Sequence, residues 1–414
     1  TGTNASSYTN TVTAGTSTNY TITAVNGALT INQAALGITA NAASMTYGGN
    51  SLPSLSYSIS SGQLYGSDAL SGSLSTSATA YNGTAGSGSN AGSYGITQGT
   101  LTAGNNYAIN YTGANLTVNK AALTATGNSS TTTYNGSAQS VSGYAVSGLV
   151  NGDSNAAGIT TSASGASGTN ASIYTNTVTA GTATNYTITA VNGTLTINPA
   201  ALGVSATATS MTYGGSSLPT LAYSISSGQL YGSDSLSGAL TTSATAYSGT
   251  AGSGSNAGTY SITQGTVTAG SNYAITYTGA NLTVNKAALT ATGNSSTTTY
   301  NGSAQSVSGY SVSGLVNGDS SAAGVTTSAS GATGTNASTY TNTVTAGTST
   351  NYTITAVNGA LTINPAALGV SATMASMTYG GSSLPTLGYS ISSGQLFGSD
   401  ALSGSLSTSA TAYN

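Results

Sequence analysis

The 414-residue sequence contains no cysteine, histidine or tryptophan, one phenylalanine, five prolines, two Lys/Arg residues and five Asp/Glu residues. All five acids are aspartates (Asp68, Asp153, Asp234, Asp319 and Asp400), and both bases are lysines (Lys120 and Lys286). General acid–base chemistry draws mainly on His, Glu, Asp, Lys, Cys and Tyr with tuned pKa values. So thin a stock argues against an enzyme, and the sequence assigns no catalytic residue, no cofactor-binding residue and no metal ligand. Without cysteine the chain can form no disulfide. No apolar run approaches the roughly 18 residues a membrane helix needs, so no membrane insertion is expected. A net charge of −3 leaves no electrostatic footprint for nucleic acid or anionic lipid.

What is present is Ser, Thr, Ala and Asn, with 57 glycines and 27 tyrosines. Disordered chains are usually poor in aromatic and β-branched residues. Here tyrosine, valine, isoleucine and threonine abound, and these favour strands.

Self-similarity organises the sequence. VNKAALTATGNSSTTTYNGSAQSVSGY starts at Val118 and again at Val284, a shift of 166 residues. Within each period two related module types alternate. One opens with N-Q/P-A-A-L at Asn32, Asn198 and Asn364, the other with N-K-A-A-L at Asn119 and Asn285. The boundaries are therefore a fragment 1–31, complete modules 32–118, 119–197, 198–284 and 285–363, and a fragment 364–414. The opening at Thr1 falls inside a repeat, so both ends are expected to be cuts from a longer chain.

Both types follow one script. A tyrosine turn comes first, M-T-Y-G-G at Tyr47, Tyr213 and Tyr379 or T-T-Y-N-G at Tyr134 and Tyr300. An aspartate follows in L-Y/F-G-S-D or L-V-N-G-D. Then comes N-A-x-x-Y, ending at Tyr8, Tyr94, Tyr174, Tyr260 and Tyr340, and last a hairpin-like phrase such as NYAITYTGANLTV. Apolar residues recur at every second position, the period of a strand. In 198–284 this predicts inward positions at Leu202 and Val204, Tyr223 and Ile225, Ile262, Leu282 and Val284. Six or seven short strands per module point to an all-β tandem array of small immunoglobulin-like β-sandwiches. The N-A-G-x-Y phrase resembles a tyrosine corner, whose hydroxyl bonds back to the preceding loop. A β-solenoid is the competing fold. Junctions as tight as Asn198-Pro199 imply a stiff rod.

The Y-G-G and Y-N-G turns, the A-A-L-T-A opening, the L-x-N-G-D loop and the N-Y-T-I-T-x-x-N-G-x-L-T-I ending together resemble the MBG and YDG repeat domains of filamentous haemagglutinin-like bacterial surface adhesins. On that resemblance 32–118, 198–284 and 364–414 are MBG-like, and 1–31, 119–197 and 285–363 are YDG-like. It implies an extracellular, cell-surface location and a structural shaft of a secreted adhesin or fibre. The near-absence of charge lets surfaces approach, and an exposed edge strand could pair with another chain, so self-association into fibres is expected. The alternative is a multivalent glycan- or host-surface-binding module. Ice binding by threonine ranks is a third reading, which the irregular ranks do not favour.

Sharper readings of single residues compete with plainer ones. Calcium takes six to eight oxygen ligands, usually several of them carboxylates, whereas each module offers one aspartate; a turn-forming aspartate is the expectation. Lys120 with Asp153, or Lys286 with Asp319, could take part in an isopeptide crosslink, but other modules carry Gln33, Pro199 or Pro365 at the lysine position, which favours a surface lysine at the junction. GSGSNAG at 252–258 lacks the spacing of a phosphate loop and reads as a plain loop. Sequons at Asn4, Asn115, Asn128, Asn170 and Asn185 are expected by chance in this composition. LYGSD at Tyr65 and Tyr231 becomes LFGSD at Phe397, so that ring is read as packing.

Overall fold

The computed structural model describes residues 3–154, 158–320 and 324–414. Every regular element among them is a β-strand, and no helix is long and apolar enough to cross a membrane. Two compact units divide the chain, Thr1–Ala200 with Ser271–Tyr273, and Ala201–Gly270 with Ala274–Asn414.

The first unit opens with an antiparallel pair, β1 (Ser6–Asn10) and β2 (Gly27–Ile31). The module 32–118 contributes β3 (Ala34–Ala40), β4 (Ala43–Thr46), β5 (Tyr57–Ser61), β6 (Ser75–Thr76), β7 (Gly92–Thr97), β8 (Tyr107–Thr112) and β9 (Ala114–Asn119). These form two sheets in the orders β5-β3-β8 and β4-β9-β7-β6. The next module contributes β10 (Ala121–Gly127), β11 (Ser130–Thr133), β12 (Gln139–Val141), β13 (Tyr144–Ser147), β14 (Ser162–Ala163), β15 (Ala166–Gly168), β16 (Ser172–Asn176), β17 (Val178–Thr179), β18 (Tyr186–Val191) and β19 (Gly193–Asn198). Its sheets are β13-β10-β18 and β11-β19-β16, with short pairs β12-β15 and β14-β17. The second unit repeats these orders with its own strands.

The closing phrase of each module is not a hairpin. β8 and β9 lie in different sheets, as do β18 and β19. The link is one residue, Gly113 or Asn192, shorter than the two-residue loop of the commonest hairpins. The chain therefore crosses from one sheet to the other, and the opening strands cross beside it. β3 runs parallel to β8 from Ala34↔Tyr107, and β4 runs parallel to β9 from Ala43↔Leu116.

Alternation fills the core. Leu36 and Ile38 from one sheet meet Ile96, Leu116 and Val118 from the other in one buried cluster, which continues into the following module through Ala121, Leu123 and Tyr186. Each fully buried Leu or Ile contributes about 1.5–3 kcal/mol over an exposed one. In the second unit Leu202, Val204, Leu282, Val284 and Ile262 are buried as the period-2 reading expects. Ile225 is not, at 41% exposure. Tyr223–Ser227 is the edge strand of its sheet, so Ile225, although paired opposite buried Val204, has a neighbouring strand on one flank only.

Candidate functional site

The aspartates sit in one recurrent turn. The backbone N–H of Asp153 donates to Val150 O at 3.0 Å, and Asp68, Asp234, Asp319 and Asp400 repeat the bond to the residue three before them. The second residue of the turn is left-handed, Asn151 at φ 58° and Gly66 at φ 59°, a conformation open to Gly and Asn at low cost.

The carboxylate does more than shape its own loop. In the first unit Asp153 Oδ2 accepts the hydroxyl of Tyr186, from the same module, at 2.7 Å and that of Tyr47, from the preceding module's Y-G-G turn, at 2.9 Å. The two rings meet edge to face, centroids 5.5 Å apart. The Tyr186 hydroxyl also receives the N–H of Val150 at 3.0 Å. The second unit repeats the cluster: Asp319 Oδ2 accepts from Tyr352 at 2.9 Å and from Tyr213 at 2.8 Å. Burial, with the neighbouring carboxylate adding to it, raises these phenols above their ordinary value, Tyr352 to about 12.

Asn151 is buried and turned toward the preceding module. Its Nδ2 donates to the Tyr47 hydroxyl at 2.8 Å, and its Oδ1 accepts the N–H of Gly88 at 3.0 Å. Its backbone carbonyl accepts the N–H of Gly86 at 3.0 Å. Asn317 makes the same contacts with Tyr213, Gly254 and Gly252. The GSGSN loop thus offers two backbone N–H groups to an asparagine of the next module.

A second clasp joins the same neighbours. The N-A-x-x-Y tyrosines form corners: Tyr8, Tyr94, Tyr174, Tyr260 and Tyr340 each donate to the backbone carbonyl of the asparagine four residues earlier, at 2.8–3.0 Å. Asn90 with Ala91, and Asn256 with Ala257, are held from the following module. Asn185 Oδ1 accepts the N–H of Ala91 at 2.9 Å, and Asn185 Nδ2 donates to Asn90 Oδ1 at 3.0 Å. Asn351 treats Ala257 and Asn256 identically.

The Y-N-G turn meets a different loop. In the second unit the Tyr300 hydroxyl donates to Asp400 Oδ2 at 2.6 Å, and its ring lies edge-on to Phe397 with centroids 5.7 Å apart.

The lysines are structural donors. Lys120 Nζ donates to Ala183 O at 2.8 Å and Lys286 Nζ to Ser349 O at 2.7 Å, while Gln33 Nε2 at the same module position donates to Asn105 O. No group of three or more acidic, histidine or cysteine side chains lies together among the described residues.

Strands arranged in one order per module and joined by these contacts define a tandem all-β repeat array. A sequence model of the MBG domain (YGX type) family matches residues 36–117, 123–196, 202–283 and 289–362, well over half of the chain, and the chain belongs to that family. The same model covers both module types. Comparison with curated proteins finds no match.

The sequence reading found the turn and the corner but missed the clasps. Their signal was the fixed distance between N-A and N-Y phrases: Ala91 to Asn185 and Ala257 to Asn351 are each 94 residues apart.

Proposed function

We propose that this chain is the structural repeat shaft of a secreted bacterial adhesin or extracellular fibre, serving as stalk or filament-building material at the cell surface. MBG repeats occur in surface proteins, which supports the location. The observation that carries the reading is the junction itself. Asp153, Asp319 and Asp400, with the buried Asn151 and Asn317, join one module to the next, as at Tyr47–Asp153–Tyr186 and Asn151–Gly88. Lateral self-association would turn such a shaft into a filament.

Electron microscopy of the natural protein on cells and in shed material tests this. Extended strands with beads about 30–40 Å apart, the length of short-stranded modules, or thicker filaments of several chains, are expected. Absence of the protein from the cell surface and from shed fibres would overturn the proposal, and strong glycan-array signal from the repeat region would favour the binding alternative.

A further inference from the structure

We propose that the order of the two module types is written into the chain by two sockets, each shaped for the loop of the other type. The Y-G-G face is a binding site for a V-N-G-D loop, and the Y-N-G face is a binding site for an aromatic-G-S-D loop. This goes beyond the shaft reading and stands whatever the array carries.

Both loops share a backbone. L-V-N-G-D at 149–153 and L-F-G-S-D at 396–400 close the same turn, with Asn151 at φ 58° and Gly398 at φ 57°. Both present an aspartate to the tyrosine of the preceding turn, at 2.9 Å for Tyr47 and 2.6 Å for Tyr300. That bond cannot discriminate. The residues between leucine and aspartate can.

In the Y-G-G socket the glycine directly after the tyrosine forms the floor. A Cβ on Gly48 would stand 2.5 Å from Val150 Cγ2, and one on Gly214 the same distance from Val316 Cγ2. The Y-N-G turn has Asn301 at that position. Its floor glycine comes one residue later, where a Cβ on Gly302 would stand 2.5 Å from Phe397 Cβ. The floor is shifted by one residue, and its partner changes from a branched aliphatic side chain to an aromatic ring. A V-N-G-D loop docked on Y-N-G would therefore bring its valine against an asparagine side chain.

The second element is the GSGSN loop, which belongs to the Y-G-G modules at 86–90 and 252–256. Its Gly88 N–H is satisfied by Asn151 Oδ1, and Gly152 packs so closely on Ala85 that a Cβ there would stand 2.8 Å from Ala85 Cα. An L-Y-G-S-D loop in this socket would put glycine where the amide belongs and serine where Gly152 fits. It would leave a buried N–H without a partner and add a side chain to a filled gap, both unfavourable.

Near-identical tandem modules are prone to docking on the wrong neighbour. Two keys used in alternation exclude a module from docking on its own kind, and the repeating unit becomes the 166-residue pair.

Two variants of the full chain test this by amide hydrogen exchange. N151G keeps the left-handed turn, because glycine adopts it freely, and removes only the amide. The triple variant V150Y/N151G/G152S installs the other type's loop in the Y-G-G socket. Exchange at Gly88 should rise about tenfold in N151G, where its acceptor is gone, while Gly86, bonded to the backbone carbonyl of residue 151, keeps its protection; in the triple variant exchange at both should rise further, as expected for lost buried hydrogen bonds, with Leu123 in β10 unchanged. Protection at Gly88 equal to the parent chain in the triple variant would show the sockets to be interchangeable and overturn the proposal. If the triple variant fails to fold, unchanged exchange in N151G overturns it alone.

Discussion

Replacing Asp153 by alanine separates a loop-shaping carboxylate from one that joins modules. Two hydroxyls point at Oδ2, Tyr186 at 2.7 Å and Tyr47 at 2.9 Å, on side chains that are 3% and 4% exposed. A hydrogen bond to a charged group contributes about 1.5–3 kcal/mol. Both phenols keep another neighbour, Val150 O for Tyr186 and Asn151 Nδ2 for Tyr47, and half-buried Asp153 leaves room for water. These partners reduce each loss to about 1–2 kcal/mol, so both bonds together cost about 2–4 kcal/mol. Asp68 is the internal control: among the described residues its carboxylate accepts one hydroxyl, Tyr107 of its own module, at 2.9 Å. Asp68→Ala should cost about half as much. The difference of roughly 1–2 kcal/mol is the bond between modules, a factor of about 5–30 in opening. Amide exchange at Gly88, followed in the presence of a chelator, reads it locally; a single melting temperature would not, since repeat arrays depart from two-state unfolding. Equal costs for the two variants would refute the joining role, and a rise in protection on adding calcium to the parent chain that Asp153→Ala abolishes would refute the assignment of the carboxylate to hydrogen bonding.

Gly48→Ala combines a left-handed φ of 77° with a Cβ 2.5 Å from Val150 Cγ2 and should cost about 2–4 kcal/mol in urea denaturation, while Gly83→Ala, at φ 98° in open space, should cost about 1–2. Asn185→Ala removes the acceptor of the Ala91 N–H and the donor to Asn90 and should cost about 1–2 kcal/mol, seen as faster exchange at Ala91 with the Tyr94 corner intact. Tyr352 is raised from 10.0 to about 12, chiefly by burial and further by Asp319, so the folded state favours the protonated phenol. Its contribution is complete below about pH 10 and is lost as pH rises toward 12; tyrosinate absorbance recorded with circular dichroism should show late titration coupled to loss of structure, and one transition near 10 with the fold intact would contradict it.

Local features were legible in the sequence and distant ones were not. The tyrosine corner spans four residues, so Tyr94 and Asn90 stand in one phrase and the bond can be expected from it. The aspartate turn is equally local. What the carboxylate faces is not, because Tyr47 lies 106 residues from Asp153, in another module. A repeat shows that two phrases recur together but not whether they meet inside a module or across a junction. The GSGSN loop reads in the sequence as a plain loop, yet its N–H groups hold an amide oxygen and a carbonyl from Asn317, a use visible once the following module is in place. The closing phrase misled because alternating strands around Gly113 look alike whether the chain folds back on itself or crosses between sheets. Ile225 fits the period-2 pattern, but periodicity carries no information on which strand ends at an edge.

The aromatic residue of the L-Y/F-G-S-D loop shows how far a module's surface depends on its neighbour. At Tyr65 it is 58% exposed. At Phe397 the same position is half-buried, edge-on to Tyr300 and against Gly302. The local sequences differ by one hydroxyl, and the cover on Phe397 comes from the preceding module's Y-N-G turn. Apolar area at this position therefore becomes stabilising when modules join. The same holds for the Tyr47–Asp153 bond and the Asn185 clasp, whose partners lie on both sides of a junction. Within each unit, docking thus completes the burial and hydrogen bonding of the joined modules, which ties the stability of one to the other.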